Sequence, residues 1–314
     1  MGMVKRIKKI IDKTILKKHK FLILILLTAI LFVLITVAAL AKVNYVANSS
    51  LFLNKKTNKV IQKNTSLKKI AYPSSYVKTT PTPVPQQVYN GFCLHVPVLT
   101  YHHIQPQSTA IALKQTSLNV DNGIFAQQMA YLAAHGYTTL WAPDLINALR
   151  SHSGLPPKSI LITMDDGYAD NDTYALPILR QYGFKANLML STGLVGSNSD
   201  MLSWGQVQDM KNSGVYYLTN HTWSHYPIAK GSYDKISYEI DTAATQIKQY
   251  TGQDVNIFTY PYGSFSNSAI STLQQKGYLG AFSTIPGQYQ CDSFIMTLHR
   301  TRIGNAPLSS YGIY

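Results

Sequence analysis

The sequence predicts an α/β protein built on a parallel sheet. Three observations carry this. After about residue 92, strand-like and helix-like segments alternate almost to the end of the 314-residue chain. One strand candidate, SILITMDDG (159–167), is an unbroken apolar run that stops at a glycine turn, the pattern of a strand buried on both faces. Several helix candidates end in glycine, which accepts the left-handed backbone that terminates a helix.

The segments follow in order. VPVLTYHHI (96–104) reads as a strand, and FAQQMAYLAAHGY (125–137) has apolar residues at helical spacing. SILITMDDG is the central strand. YALPILRQYGF (174–184) is a helix, ANLMLST (186–192) a strand, and SWGQVQDMKNSG (203–214) a helix with a terminal glycine. VYYLTNHT (215–222) is a strand and KISYEIDTAATQIKQYTG (235–252) a long helix. VNIFTYPYG, LGAFST and LHRTRI close the series. This order suits either a closed barrel or an open doubly wound sheet. In both, reactive groups gather at the C-terminal ends of the strands.

The first 91 residues have a different character. Residues 1–20 hold eight Lys/Arg and one acid, and residues 42–100 hold eight Lys and no acid. Residues 101–314 hold twelve Lys/Arg and thirteen acids, so the net charge of +14 lies outside the predicted domain. That distribution excludes a nucleic-acid-binding reading of the high pI and suits a membrane surface or an anionic wall polymer. Residues 21–41 carry no charge and as a helix would span roughly 31 Å, the thickness of a bilayer core. With a basic N-terminal flank they predict an uncleaved single-pass anchor with the domain outside the cell. Ala39-Leu40-Ala41 offers the rival, a cleaved secretory signal. Residues 42–91 end in a Pro/Thr-rich stretch and read as an extracellular linker, leaving 92–314 as the domain. Cys93 and Cys291 are the two cysteines, either one extracellular disulfide or two free thiols.

The chemistry gathers at strand ends. Asp165 and Asp166 stand side by side after the central strand, with no cation next to them in sequence. His221 and His225 follow a later strand, in NHTWSH. The His-x-x-x-His spacing suggests two imidazoles on one face of a helical turn. Two His and one carboxylate suit a divalent metal that keeps positions open for water. One aspartate can be the third ligand, and the other a base.

TMDDG, HTWSH and FTYPYG, in that order, resemble the motifs of the polysaccharide deacetylase family, carbohydrate esterase family 4, the NodB-homology domain. The resemblance covers about residues 94–305. VPVLTYHHI, GYTTL, LSWGQVQDM, AFSTIPG and LHRTRI also resemble the branch of poly-N-acetylglucosamine and related cell-surface deacetylases. The resemblance implies a distorted (β/α) barrel of about seven strands, preceded here by the transmembrane helix. It implies Asp165 as catalytic base, and Asp166, His221 and His225 as ligands of a divalent metal: zinc, with cobalt or nickel as alternatives. It implies that the Tyr262 backbone N–H holds the oxyanion, in a loop shaped by Pro261 and Gly263.

Two departures matter. Many members carry an arginine in the third motif that orients the base; here Thr259 occupies that place. The Leu-x-His motif that supplies the acid is also missing. In the branch with an N-terminal Tyr-His strand, His102 becomes the expected acid, ahead of His103 and His299. Among the aromatics, Trp204, Trp223 and Tyr262 are candidates for a sugar subsite, with Tyr262 preferred. Asp170 and Asp172 read as residues that cap or solvate the start of the following helix, and Asn220 as a partner of a metal ligand or a strand-end polar residue. The implied activity is removal of N-acetyl groups from N-acetylglucosamine units of a cell-surface polysaccharide, exopolysaccharide or peptidoglycan. The alternatives are an O-acetyl esterase and a non-catalytic glycan-binding wall protein.

Overall fold

A computed structural model describes residues 90–314. The expected basic segment (1–20), membrane helix (21–41) and nearly all of the linker (42–91) lie outside the described residues. Among the described residues, no helix is long and apolar enough to cross a membrane.

The strands are β1 (Cys93–His95), β2 (Val98–Tyr101), β3 (His103–Ile104), β4 (Asn119–Val120), β5 (Thr138–Leu140), β6 (Ser159–Asp166), β7 (Ala186–Leu190), β8 (Tyr216–Asn220), β9 (Ile257–Thr259), β10 (Gly280–Phe282), β11 (Tyr289–Cys291) and β12 (Thr301–Arg302). The α-helices are α1 (Gln107–Ala112), α2 (Asn122–Ala134), α3 (Ala142–Ser151), α4 (Leu176–Gln181), α5 (Trp204–Asn212), α6 (Tyr233–Thr251) and α7 (Asn267–Gln275). Asp121 caps α2, its Oδ1 accepting from the Gly123 and Ile124 amides. Ser203 and Gln206 form a capping box at the start of α5. Gly252 ends α6 at φ 72°.

The main sheet runs β10-β9-β8-β7-β6-β2-β12, all parallel, and β5 pairs with the first half of β6. The seven strands curl. The segment from Leu298 to Ile303 touches both edges of this sheet: Leu298 bridges Phe282 on β10, and Thr301–Arg302 pair with β2. This curled parallel sheet fits a distorted barrel better than an open doubly wound sheet.

β6 shows why. All eight of its residues are buried. Successive side chains of a strand point to opposite faces, and here both faces are apolar. Ile160, Ile162 and Met164 join one core cluster, with Leu188 and residues of α2 and α5. Leu161 joins the other, with Val98, Met189, Ile257, Phe282 and Leu298, contributed by strands all around the curl, and with residues of α3. Asp165 shares the parity of Leu161 and Thr163. It therefore stands at the mouth of the barrel interior.

Two small sheets flank the barrel. β3 pairs with β4, and β1 pairs antiparallel with β11. In the second, Cys93 lies directly opposite Cys291, and the two form a disulfide across a separation of 198 residues. The choice the sequence leaves open is thus resolved: the described residues contain no free cysteine.

Candidate active site

β6 delivers Asp165 and Asp166, β8 leads into His221, and β9 leads into the loop holding Tyr262. All open on one cavity of about 420 Å³ at the C-terminal ends of the strands, shared with Thr100, His102, Thr284 and Arg300. Adjacent strand residues should face opposite ways. Asp166 escapes this rule because its φ is +75° and Gly167 follows at +94°, which turns the second carboxylate back toward the cavity. Thr222, His225 and Tyr262 also hold positive φ, at 65°, 57° and 58°. Three of the seven non-glycine residues with positive φ among the described residues, Asp166, His225 and Tyr262, thus line this cavity, and a fourth, Thr222, follows the lining residue His221. Such conformations cost free energy, and they persist where neighbouring structure over-determines them.

The ligand atoms of Asp166, His221 and His225 lie within 4.8 Å of one another. Asp166 Oδ1 is 3.1 Å from His225 Nε2 and 3.4 Å from His221 Nε2. Even so, this buried oxygen has no well-aligned hydrogen-bond donor. His221 Nδ1 is 2.8 Å from the Thr259 carbonyl. A carbonyl only accepts, so Nδ1 carries the hydrogen and Nε2 presents its lone pair to the centre. Two imidazole nitrogens and one carboxylate oxygen, converging within 4.8 Å, are a donor set that fits a divalent cation. Burial pushes the Asp166 carboxyl upward, but the two histidines outweigh it and hold it well below the usual carboxylate range.

The two histidines do not meet on a helical turn, as their spacing suggested. Residues 221–225 form an irregular loop, strapped to α6. The buried Glu239 carboxylate accepts from the Ser224 amide at 2.8 Å, the Ser224 hydroxyl at 2.7 Å and Lys235 Nζ at 2.6 Å. Its backbone carbonyl accepts from the Trp223 amide. Asn220 Oδ1 accepts from the Thr222 amide, and its Nδ2 donates to the Ile240 carbonyl. Asn220 therefore holds the turn between the histidines. Local spacing is silent about Glu239, because its partner lies fifteen residues away across a loop.

Asp165 is held by Arg300, which donates from Nη1 to Oδ1 at 2.7 Å and from Nη2 to Oδ2 at 2.8 Å, while Nη1 also reaches Thr163 Oγ1. Burial raises the Asp165 carboxyl, and the guanidinium leads the effects that bring it below its ordinary value. The arginine missing at Thr259 is thus supplied from the segment that closes the barrel. Sequence reasoning missed it inside LHRTRI. Its one trace was a pair of arginines at alternate positions of a strand-like run.

The three histidine candidates separate. His102 lies between β2 and β3, with its side chain 18% exposed and Nε2 4.0 Å from Asp165 Oδ2. Burial lowers its pKa, against the opposing pull of Asp165 and Asp166. His103 points away from the cavity: it is buried, paired through Nδ1 with Asp170 Oδ2 at 2.5 Å and stacked on Tyr168. His299 is buried against Phe294, outside the cavity lining. The expected capping role of Asp170 is replaced. Its carboxylate caps no helix; it binds His103 and the Ile104 amide, while Asn171 donates to the His102 carbonyl. Asp172 accepts from Gln206. Tyr262 is 71% exposed, with its ring edge-on to His225. Trp204 stacks on Tyr250 and Trp223 packs against Tyr238, both outside the lining.

A buried, ionised carboxylate beside a convergent Asp–His–His set, at the mouth of a curled parallel barrel, is the arrangement of a hydrolytic enzyme. Residues 152–281 match the family model for polysaccharide deacetylase. The chain is 27% identical over 220 residues to the putative polysaccharide deacetylase YxkH of Bacillus subtilis, covering 70% of this chain and 75% of that protein. It is 26% identical over 260 residues to the poly-β-1,6-N-acetyl-D-glucosamine N-deacetylase of Escherichia coli, covering 70% of this chain and 37% of that protein. Among solved structures, the Streptococcus pyogenes deacetylase PplD superposes with a TM-score of 0.64 at 24% identity, over 69% of this chain and 98% of PplD, which speaks to the fold. Residues 152–281 carry the polysaccharide deacetylase domain sequence.

Proposed function

We propose that this chain removes N-acetyl groups from N-acetylglucosamine units of a cell-surface polysaccharide, with a bound divalent metal. The observation that carries this reading is the convergence of Asp166, His221 and His225 beside an Arg300-held Asp165 in one cavity. Zinc suits the two-nitrogen, one-oxygen donor set, and cobalt or nickel can replace it.

The residues divide the work. A cation held by Asp166, His221 and His225 would supply Lewis acidity to the acetamide carbonyl and to the attacking water. Asp165 is the base: it takes a proton from that water as the new C–O bond forms, and Arg300 keeps its lone pairs aimed. The Tyr262 backbone N–H donates to the oxyanion that develops on the carbonyl oxygen. His102 Nε2 gives a proton to the nitrogen as the C–N bond breaks, because an amide anion is too poor a leaving group. The products are acetate and a glucosamine unit. The catalytic domain, residues 92–314, works outside the cell, held to the membrane by residues 21–41.

Acetate release by the zinc-loaded full-length chain tests the reading, on N-acetylglucosamine oligomers of β-1,4 and β-1,6 linkage and on peptidoglycan. Release that a chelator stops and zinc restores is expected, and the preferred polymer names the substrate. No release from protein that holds one metal per chain would shift the activity to O-acetyl esters, or, failing those, to glycan binding without turnover.

A further inference from the structure

The cavity contains a cation that the chemistry above does not use. Arg302 lines the same wall as His102 and Asp165. It lies two residues beyond Arg300 on the extended closing segment, and alternate residues of such a segment face the same way. Its register partner on β2 is Thr100, another lining residue. The other charged groups at the site have uses already: Asp165 pairs with Arg300, and Asp166 converges with His221 and His225 on the candidate metal position. Among the described residues, no carboxylate lies within ion-pairing distance of Arg302. The contact that holds it is a hydrogen bond from Nη2 to the Ser117 carbonyl, next to Leu118 in the lining. A neutral carbonyl leaves the charge uncompensated and fixes the side chain. An exposed guanidinium is thus presented at the rim with donors to spare.

A guanidinium is a fork for two oxygens of one anion. A chain of N-acetylglucosamine alone offers no such partner, and a neighbouring glucosamine already freed of acetate would be repelled. We propose that Arg302 makes this cavity selective for glycans that carry an anionic oxygen group, a carboxylate or a phosphate, on the sugar next to the N-acetyl group removed. This rests on the deacetylase reading above and adds the substrate's charge to it. The carboxylate source would be an acidic ether substituent, as on muramic acid; the phosphate source would be a phosphodiester on the glycan.

The test uses the zinc-loaded full-length chain and three probes. These are a tetrasaccharide of alternating N-acetylglucosamine and N-acetylmuramic acid, the same compound with its lactyl carboxylates amidated, and an N-acetylglucosamine oligomer carrying a phosphodiester. Wild type should show about a fivefold to tenfold higher kcat/KM on an anionic probe than on the amidated one, carried by KM. In Arg302→Gln that ratio should fall to about one, with Arg302→Lys recovering part of it. The better of the two anionic probes identifies the source. Equal rates on charged and amidated probes in wild type, or an unchanged ratio in Arg302→Gln, would overturn the proposal. The second result would leave Arg302 as a strut for the Ser117 carbonyl. If wild type releases no acetate from any probe, the deacetylase reading fails by itself. Calorimetric titration of the same probes then decides on Arg302: tighter anionic binding that Arg302→Gln abolishes supports it, and equal binding refutes it.

Discussion

Arg300 and Asp165 stand 135 residues apart in the chain and meet as a buried, two-pronged pair, at 2.7 and 2.8 Å. The pair sets both the charge and the aim of the proposed base. Removing one partner of a buried pair leaves the other uncompensated, which costs about 3–5 kcal/mol. Arg300→Met should therefore lower stability by that order in denaturant unfolding. Arg300→Lys keeps the charge and loses the fork, so kcat for acetate release should fall by about 10–100-fold with a smaller loss of stability. Arg300→Lys turning over at the wild-type rate would show that the fork does not orient the base.

Zinc should raise the melting temperature of chelator-stripped protein, because binding to the folded state alone adds about 2.7 kcal/mol at a hundred times Kd. Asp166→Ala and His225→Ala should abolish the rise. Thermal scans with and without metal check this, and an equal rise in Asp166→Ala would place the metal elsewhere.

His102 and His103 are neighbours in sequence with opposite fates. His102→Ala should reduce acetate release by about 10²–10⁴-fold and leave unfolding nearly unchanged. His103→Ala strands the Asp170 carboxylate and should cost stability first, about 1–3 kcal/mol. Paired kinetics and unfolding curves separate the two; equal kinetic losses would remove the distinction.

Glu239→Ala leaves the Ser224 amide without its acceptor and loosens the loop that presents His225. Zinc affinity, measured by chelator competition, should fall by about 10–100-fold. The Glu239 carboxyl is pushed up by burial but held below its ordinary value by the Lys235 and Ser224 donors. Its contribution is therefore complete above the ordinary carboxylate range and is lost as pH falls through the lowered value. Stability of the wild type should decline with acid more steeply than that of Glu239→Gln, and parallel pH curves would contradict this.

The Cys93–Cys291 bridge closes a loop of nearly the whole domain. Chain-entropy arguments assign such a loop about 5 kcal/mol. Cys93→Ser with Cys291→Ser should lower the midpoint of denaturant unfolding accordingly. A reducing agent should shift wild type toward the double variant and leave that variant unmoved.

Much of this protein is legible in its sequence. Alternating strand and helix patterns specify a parallel α/β sheet, because burial on both faces requires apolar runs of the kind seen in SILITMDD. The order of TMDDG, HTWSH and TYPYG brings the acids, histidines and tyrosine to the ends of β6, β8 and β9 on one side of the sheet, since parallel strands all expose the same end. Tertiary structure decided the rest. Spacing alone placed His221 and His225 on a helix; the fold joins them through a loop of left-handed residues strapped by Glu239. Three histidines competed for one role, and the parity of a strand end turned His102 toward Asp165 and His103 away. Arg300 was invisible as a partner of Asp165 because nothing local relates them. Only the order of strands in the sheet, which sets β12 beside β2 and β2 beside β6, puts the guanidinium against the carboxylate. Periodicity and spacing report what lies within a few residues, and contacts made by closing a barrel exist only once it is closed.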